Sequence, residues 1–273
     1  MKKFTVGSVP YGNAIPLTAW FEELGEESPI SVIFDVPSKL PALLENGQAD
    51  AILVSSVDAL RMPSRRMAEG VCIGSNGPVK SVRVFSKVPY EQVTTLALDA
   101  SSMTSNRLAQ IILNERFGVR PTLADRPPNL NDMLAEFDAC VLIGDIGMTA
   151  DGSNLHVLDL GEEWTNLTDL PFVWAAWIGN ENVTPELTKH LQTAAHHYGA
   201  GRNATEQGSR ADFIALAQTK LDWTEAMIED YFFEVMIYDM DDRMLEGFKE
   251  FRRRLLVNGF EDCHHFPALI TAL

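Results

Sequence analysis

The chain has 273 residues, 46% of them hydrophobic, and carries 38 acidic residues against 22 Lys and Arg, a formal charge of −16. That length can bury one large core or build two lobes of ordinary size. The acidic balance, with no extended basic block, argues against nucleic acid or an anionic membrane as the main partner, yet leaves room for a small anion held by local donors.

In chain order, short apolar runs alternate with helical patterns: a run at 4–9, a helix over 15–24, a run at 30–35, a helix over 39–46, then a run at 51–54. This alternation predicts α/β organisation with a largely parallel sheet. Runs at 71–74, 82–85 and 96–98 follow, then a helix over 106–117 with Leu108, Ile111, Ile112 and Leu113 on one face, and a run at 140–143. A buried strand is expected at 172–178, where Trp174 and Trp177 lie among alanines. Beyond it the pattern is helical, at 185–198, 212–220, 224–233 and 244–258, with Gly259 as the last stop. A central α/β segment bounded by the strand-like stretches near 82–85 and 172–178 suggests that the chain crosses into a second lobe and returns. The expected division is lobe 1 over 1–84 and 178–273, the latter including the C-terminal helices, and lobe 2 over 85–177. A cleft between such lobes is a usual place for a small-molecule site, closed by hinge motion.

The start Met1-Lys2-Lys3 is basic, but the apolar stretch before Pro10 is short for a signal peptide, and no later run has the length of a membrane span. A cytoplasmic protein is the expectation. Cys72, Cys140 and Cys263 are odd in number and widely spaced, which reads as buried free thiols rather than a disulfide framework. His196-His197 and Cys263-His264-His265 lack the second spaced pair of a zinc site. Asp239-Met240-Asp241-Asp242-Arg243 lacks calcium-loop spacing and reads as a helix start. With no Walker loop and no Gly-x-Gly-x-x-Gly fingerprint, neither a metal nor a cofactor is expected.

The segment Asp99-Ala100-Ser101-Ser102-Met103-Thr104-Ser105 sets four hydroxyls between an apolar run and a helix. A helix start exposes unpaired N–H groups with partial positive charge, so this is a small-anion cradle in form, although an ordinary capped helix has the same pattern. Four more segments place small polar residues just after an apolar run: Ser8-Val9-Pro10-Tyr11-Gly12-Asn13, Ser55-Ser56, Gly77-Pro78-Val79-Lys80-Ser81-Val82 and Ile143-Gly144-Asp145. Each alone describes a turn or cap. In open α/β sheets, however, ligands sit beyond the carboxyl ends of strands, where these five would converge. Thr168-Asp169-Leu170-Pro171-Phe172-Val173-Trp174 leads into the returning strand with a proline and aromatics suited to walling a cleft.

Together with Leu43-Leu44-Glu45-Asn46-Gly47-Gln48-Ala49-Asp50-Ala51-Ile52-Leu53-Val54, and in this order, the segments resemble the MqnA family of menaquinone-biosynthesis enzymes, the chorismate dehydratases of the futalosine route. Gly12 stands where relatives carry a bulkier residue, and the helical tail after Gly179 adds little to the match. The resemblance implies a two-lobed type II periplasmic-binding-protein-like fold used as an enzyme. It also implies a dianionic small-molecule substrate, chorismate, losing water to give 3-[(1-carboxyvinyl)oxy]benzoate. The sister enzyme MqnD, acting on a later intermediate, is similar in fold but opens with a different polar loop.

On this resemblance Ser81 and Asn13 take catalytic roles, and Tyr11, Ser55, Ser56, Val79, Ser101, Ser102, Thr104, Ser105, Gly144, Asp145 and Pro171 line the substrate site. Removing the ring proton builds charge that spreads into the ring carboxylate, where fixed donors would stabilise it. The motif segments contain Asp99 and Asp145 but no histidine, and an ionised Asp beside a dianion costs electrostatic energy. The base is therefore one of these two or the substrate's own enolpyruvyl carboxylate. Lys80, Arg83 and Arg107 are candidates for substrate contact. Two other readings share the fold: a non-catalytic small-anion binding protein, and the MqnD-type lyase acting on a futalosine derivative.

Overall fold

A computed structural model describes residues 3–202 and 209–272. Met1, Lys2, residues 203–208 and Leu273, which belong to the first-lobe ranges above, lie outside the described residues. In chain order the strands are β1 (Phe4–Ser8), β2 (Ile30–Phe34), β3 (Ala51–Ser55), β4 (Arg66–Ser75), β5 (Val82–Ser86) and β6 (Thr95–Asp99). There follow β7 (Thr122–Arg126), β8 (Ala139–Ile143), β9 (His156–Asp159), β10 (Phe172–Gly179), β11 (Met236–Ile237) and β12 (Ala268–Ile270). They form a seven-stranded sheet in the order β11-β4-β10-β3-β1-β2, with β12 also on β4, and a five-stranded sheet in the order β7-β6-β8-β5-β9.

The sheets are mixed rather than largely parallel. β1 runs parallel to β2 and β3, and β6 to β7 and β8. β10 is antiparallel to β3 and β4, and β5 to β8 and β9. The cause lies in the crossing: β4 leaves the first sheet at Ser75, and β10 re-enters opposite it at Phe172, so neighbours carrying the chain out and back oppose each other. The chain reaches the second sheet at Val82, and β9 ends there at Asp159. The borders expected at 84/85 and 177/178 fall inside β5, paired with β8 along its whole length, and β10, which runs against β4 from Phe172 to Gly179 with two register shifts. By sheet membership the crossings lie at 76–81 and 160–171.

Strands of the second sheet alternate between two cores, as the two-residue period of a strand requires. Val82, Val84, Leu96, Leu98, Ala139 and Val141 belong to the large core shared with the first sheet. Phe85, Ala97, Cys140 and Leu142 pack with Met133, Leu134 and Phe137 on the opposite face. Covering both faces explains why these strands read as unbroken apolar runs. Helix Met103–Phe117 supplies Leu108, Ile111, Ile112 and Leu113 to the shared core, ending at Gly118 in the left-handed region with φ 70°. Near the C-terminus, Phe251 stacks edge-on against Trp164 and Phe172, at 5.9 and 4.8 Å between ring centroids, seating helix Asp242–Val257 over the returning strand. The helix expected over 224–233 instead breaks into helix Glu225–Glu229 and a wider π-type turn, Asp230–Val235. All three cysteines are buried free thiols.

Candidate active site

Strand direction brings the polar segments to two facing edges. β1 and β3 are parallel and end at Ser8 and Ser55; β10 begins beside them at Phe172, just after Pro171. In the second sheet β6 and β8 are parallel and end at Asp99 and Ile143, while antiparallel β5 starts opposite Ile143, just after Ser81. The crossing at 76–81 joins the two edges, and the polar loops stand at the strand ends on either side of it.

The Asp99–Ser105 loop organises itself. Asp99 is 1% exposed, and its Oδ1 accepts from the backbone N–H and the hydroxyl of Ser101 at 2.9 and 2.6 Å. Asn106 donates to the Asp99 carbonyl at 2.9 Å. Ser102 caps the helix by accepting from the Ser105 N–H at 3.3 Å, a contact of a kind contributing about 1 kcal/mol. The helix thus begins at Met103, three residues before the expected start. Thr104 is 3% exposed and accepts from the Val57 N–H of the other lobe at 3.0 Å. It ties the two walls together, and its lone-pair partner is protein. Ser105 is buried beneath the turn.

On the opposite wall, Tyr11 is 41% exposed at the head of a single turn, Gly12–Ala14. Burial, and then the charge of Asp99, push its phenol up, an electrostatic sign that the two loops share one space. Asn13 Oδ1 is a buried acceptor without a hydrogen-bond partner, while the Asn13 backbone carbonyl accepts from the Tyr238 hydroxyl at 3.1 Å. Gly12 lies against Leu221, whose methyls stand 3.2 and 3.4 Å from the position of a Cβ. Ser55 caps helix Ser56–Arg61 through the Asp58 N–H and donates to the Asp58 carboxylate at 2.8 Å. Ser56 is fully buried with its hydroxyl on the Val173 carbonyl.

At the crossing, Asp159 gathers the turn. Its carboxylate accepts from the N–H groups of Val79, Lys80, Gly161 and Glu162 at 2.7–3.1 Å. Val79 is 1% exposed and packs in the core. Lys80 has φ 63°, in the left-handed region unusual for a residue with a side chain, and its ammonium reaches both oxygens of Asp230 at 2.7 and 2.5 Å. Ser81 is 3% exposed, with Oγ 3.1 Å from the Tyr231 hydroxyl. Gly144 turns the chain with φ 60°, and the neighbouring Asp145 is exposed, its carboxyl raised above the usual range by the protein around it. Pro171 is buried, and its carbonyl accepts from the Trp164 indole at 3.0 Å.

The structure therefore brings Tyr11, Asn13, Ser55, Ser81, Ser101, Ser102, Gly144 and Asp145 to the facing edges, with Ser105 below the cradle. Ser56, Thr104, Val79 and Pro171 stand in the walls as packing and backbone supports. The three candidate cations are engaged elsewhere: Lys80 with Asp230, Arg83 with the carbonyls of Lys80 and Met148, and Arg107 with Asp262. Among the described residues, no group of three or more His, Cys, Asp or Glu is arranged to hold a metal ion. Nor is any described helix long and apolar enough to cross a membrane. Sequence reasoning missed Asp159, Tyr231 and Tyr238. For Asp159 a signal existed, since Asp159-Leu160-Gly161-Glu162 has capping-box spacing; the tyrosines had none.

Two mixed sheets joined by crossings at 76–81 and 160–171, with polar loops at their strand ends, give the architecture of the type II periplasmic-binding-protein-like class. Solved structures of that shape align along nearly the whole chain. Protein AF1704 of Archaeoglobus fulgidus superposes with a TM-score of 0.70 at 16% identity, covering 95% of this chain and 98% of its own. The alkanesulfonate-binding protein SsuA of Xanthomonas axonopodis pv. citri, bound to MOPS, superposes with a TM-score of 0.64 at 14% identity, covering 94% and 93%. A family model described as menaquinone biosynthesis matches residues 4–256, and the chain belongs to that family. Among its relatives, chorismate dehydratase of Thermus thermophilus is 29% identical over 221 residues, 74% of this chain and 79% of the relative. Chorismate dehydratase of Campylobacter jejuni is 29% identical over 176 residues, 62% and 64% of the two chains.

Proposed function

We propose that this chain is a chorismate dehydratase, a carbon–oxygen lyase that removes the ring hydroxyl and the adjacent ring hydrogen of chorismate as water. The observation that carries the reading is the cleft's donor set. The hydroxyl-rich helix start at 101–105 lies close enough to Tyr11 that burial and then the Asp99 charge push its phenol up, while Lys80 is paired with Asp230, Arg83 with backbone carbonyls and Arg107 with Asp262. Such a site suits a substrate whose negative charge moves during reaction, because preoriented neutral dipoles stabilise developing charge without locking the ground state in an ion pair.

The ring carboxylate is assigned to the helix start with the Ser102 hydroxyl as donor, since Ser101 gives both its hydrogens to Asp99 and Ser105 lies beneath the turn with its N–H on Ser102. As the ring proton leaves, charge grows on that carboxylate, where the helix start, equivalent to roughly half a positive charge, and its N–H donors lie. Ser81 and Asn13 hold the leaving hydroxyl or the enolpyruvyl carboxylate. Asp99 is assigned an orienting role through Oδ1, which accepts two hydrogen bonds from Ser101, although its Oδ2 is buried without a hydrogen-bond partner. The proton then goes to the substrate's own enolpyruvyl carboxylate and on to the departing hydroxyl as the C–O bond breaks, and water and an aromatic ring result. The test is incubation of the purified protein with chorismate and with a futalosine derivative, read by mass. Chorismate lightened by one water supports the reading. Cleavage of the futalosine derivative alone moves the protein to the sister lyase, and binding without turnover makes it a receptor.

A further inference from the structure

Two adjacent residues of the crossing, Lys80 and Ser81, meet two adjacent residues of the C-terminal π-type turn, Asp230 and Tyr231, each pair 150 residues apart in sequence. The ion pair is half exposed on both sides, at 44% and 48%, so it contributes little energy of its own and acts by fixing register. Beside it, Tyr231 is 4% exposed and its ring is held edge-on by Trp223 at 5.2 Å and by Phe232 at 5.2 Å. A π-type turn is a rare local widening that recurs at functional sites. Here it ends directly before β11, which pairs with the Gly74–Ser75 end of β4 just ahead of the crossing.

We propose that Tyr231 is a positioning residue for Ser81, its buried hydroxyl donating to Ser81 Oγ and so leaving the serine's single hydrogen for the substrate. The inference rests on the dehydratase reading above. A hydroxyl has one hydrogen and two acceptor positions, and a serine hydroxyl rotates to suit its partners. Burial pushes the Tyr231 phenol up to about 12, so it remains a protonated donor at neutral pH. A phenol fixed 3.1 Å away takes one acceptor position and removes the rotamer in which Ser81 donates backwards. The same bond polarises Ser81 Oγ and strengthens its donation forward. Lys80, held at φ 63° by Asp159 and Asp230, sets the angle at which Ser81 meets the phenol.

The experiment is a double-mutant cycle in the full chain with Tyr231→Phe, Ser81→Ala and the pair. The expected result for Tyr231→Phe is kcat on chorismate lower by about tenfold with KM within about twofold and an unchanged folded CD spectrum, because only one oriented hydrogen bond is lost. The pair should fall no further than Ser81→Ala alone, since the phenol acts only through Ser81. Losses that multiply, or a Tyr231→Phe effect confined to KM, overturn the positioning role while the dehydratase reading stands. A wild-type protein inert toward chorismate overturns both, and is told apart by the wild-type rate alone.

Discussion

The start of helix Met103–Phe117 and the crossing at Ser81 are both assigned to the proposed site, but they are built in opposite ways. At the helix start, partners are two or three residues apart: Asp99 with Ser101, Ser102 with Ser105. At the crossing they are far apart: Ser81 with Tyr231, Lys80 with Asp230, Val79 with Asp159 at a separation of 80 residues. The local cradle is a property of its own segment, whereas the crossing holds its shape only once both lobes and the C-terminal turn are assembled. Damage at the first should therefore appear as lost helix stability, and at the second as lost turnover.

The largest effect expected is on turnover. Ser81→Ala should lower kcat about a hundredfold, the scale of removing one oxyanion donor, with melting temperature nearly unchanged; equal rates in variant and wild type would remove Ser81 from the mechanism. Next is Gly161→Ala, whose Cβ would stand 2.6 Å from the Gly77 carbonyl oxygen and 3.1 Å from the Val79 nitrogen. The turn that carries Ser81 has to shift, at a cost of about 1–3 kcal/mol, and kcat should fall several-fold while Tm drops by a few degrees. A variant that loses stability but keeps full activity would show that Ser81 does not depend on the turn.

Ser102→Ala sharpens the other side of the comparison. Loss of the cap should cost about 1 kcal/mol, roughly 2–4 °C in Tm by calorimetry, with a smaller change in kcat than Ser81→Ala gives. The smallest effect is electrostatic. A carboxyl whose folded value lies above its unfolded one binds its proton more tightly when folded, so Asp145 favours the folded state at low pH and loses that contribution as pH rises through the carboxylate range. Asp145→Asn should then melt slightly higher than wild type at pH 7, with the gap closing toward about pH 3, and a variant melting lower at pH 7 would contradict the sign.

What was legible in the sequence follows the same divide. The capped turn at 99–105 could be read because its hydrogen bonds lie within one turn of chain, and the α/β fold because apolar runs mark strands covered on both faces. The direction of a hydroxyl could not be read: Ser55 and Ser56 are neighbours, yet one caps a helix at the cleft edge and the other is buried on the Val173 carbonyl. Thr104 looked like part of the cradle and instead accepts from Val57 across the lobes. Val79 and Pro171 sit in motif segments but serve as core and wall. Borders drawn from apolar runs fall inside β5 and β10, because such runs show where strands are, not to which sheet they belong. Tyr231 and Tyr238 stood among aromatics of a helical tail, and no local spacing ties them to residues 150 and 225 positions earlier.

The most direct test of the central claim, that this hydroxyl-lined cleft dehydrates chorismate, is to follow the ring protons of chorismate by NMR after adding the purified protein. The account predicts that the diene signals give way to aromatic signals of an enolpyruvyl-substituted benzoate, at a rate that Ser81→Ala cuts about a hundredfold. Chorismate whose ring signals persist unchanged in the presence of the wild-type protein would contradict it.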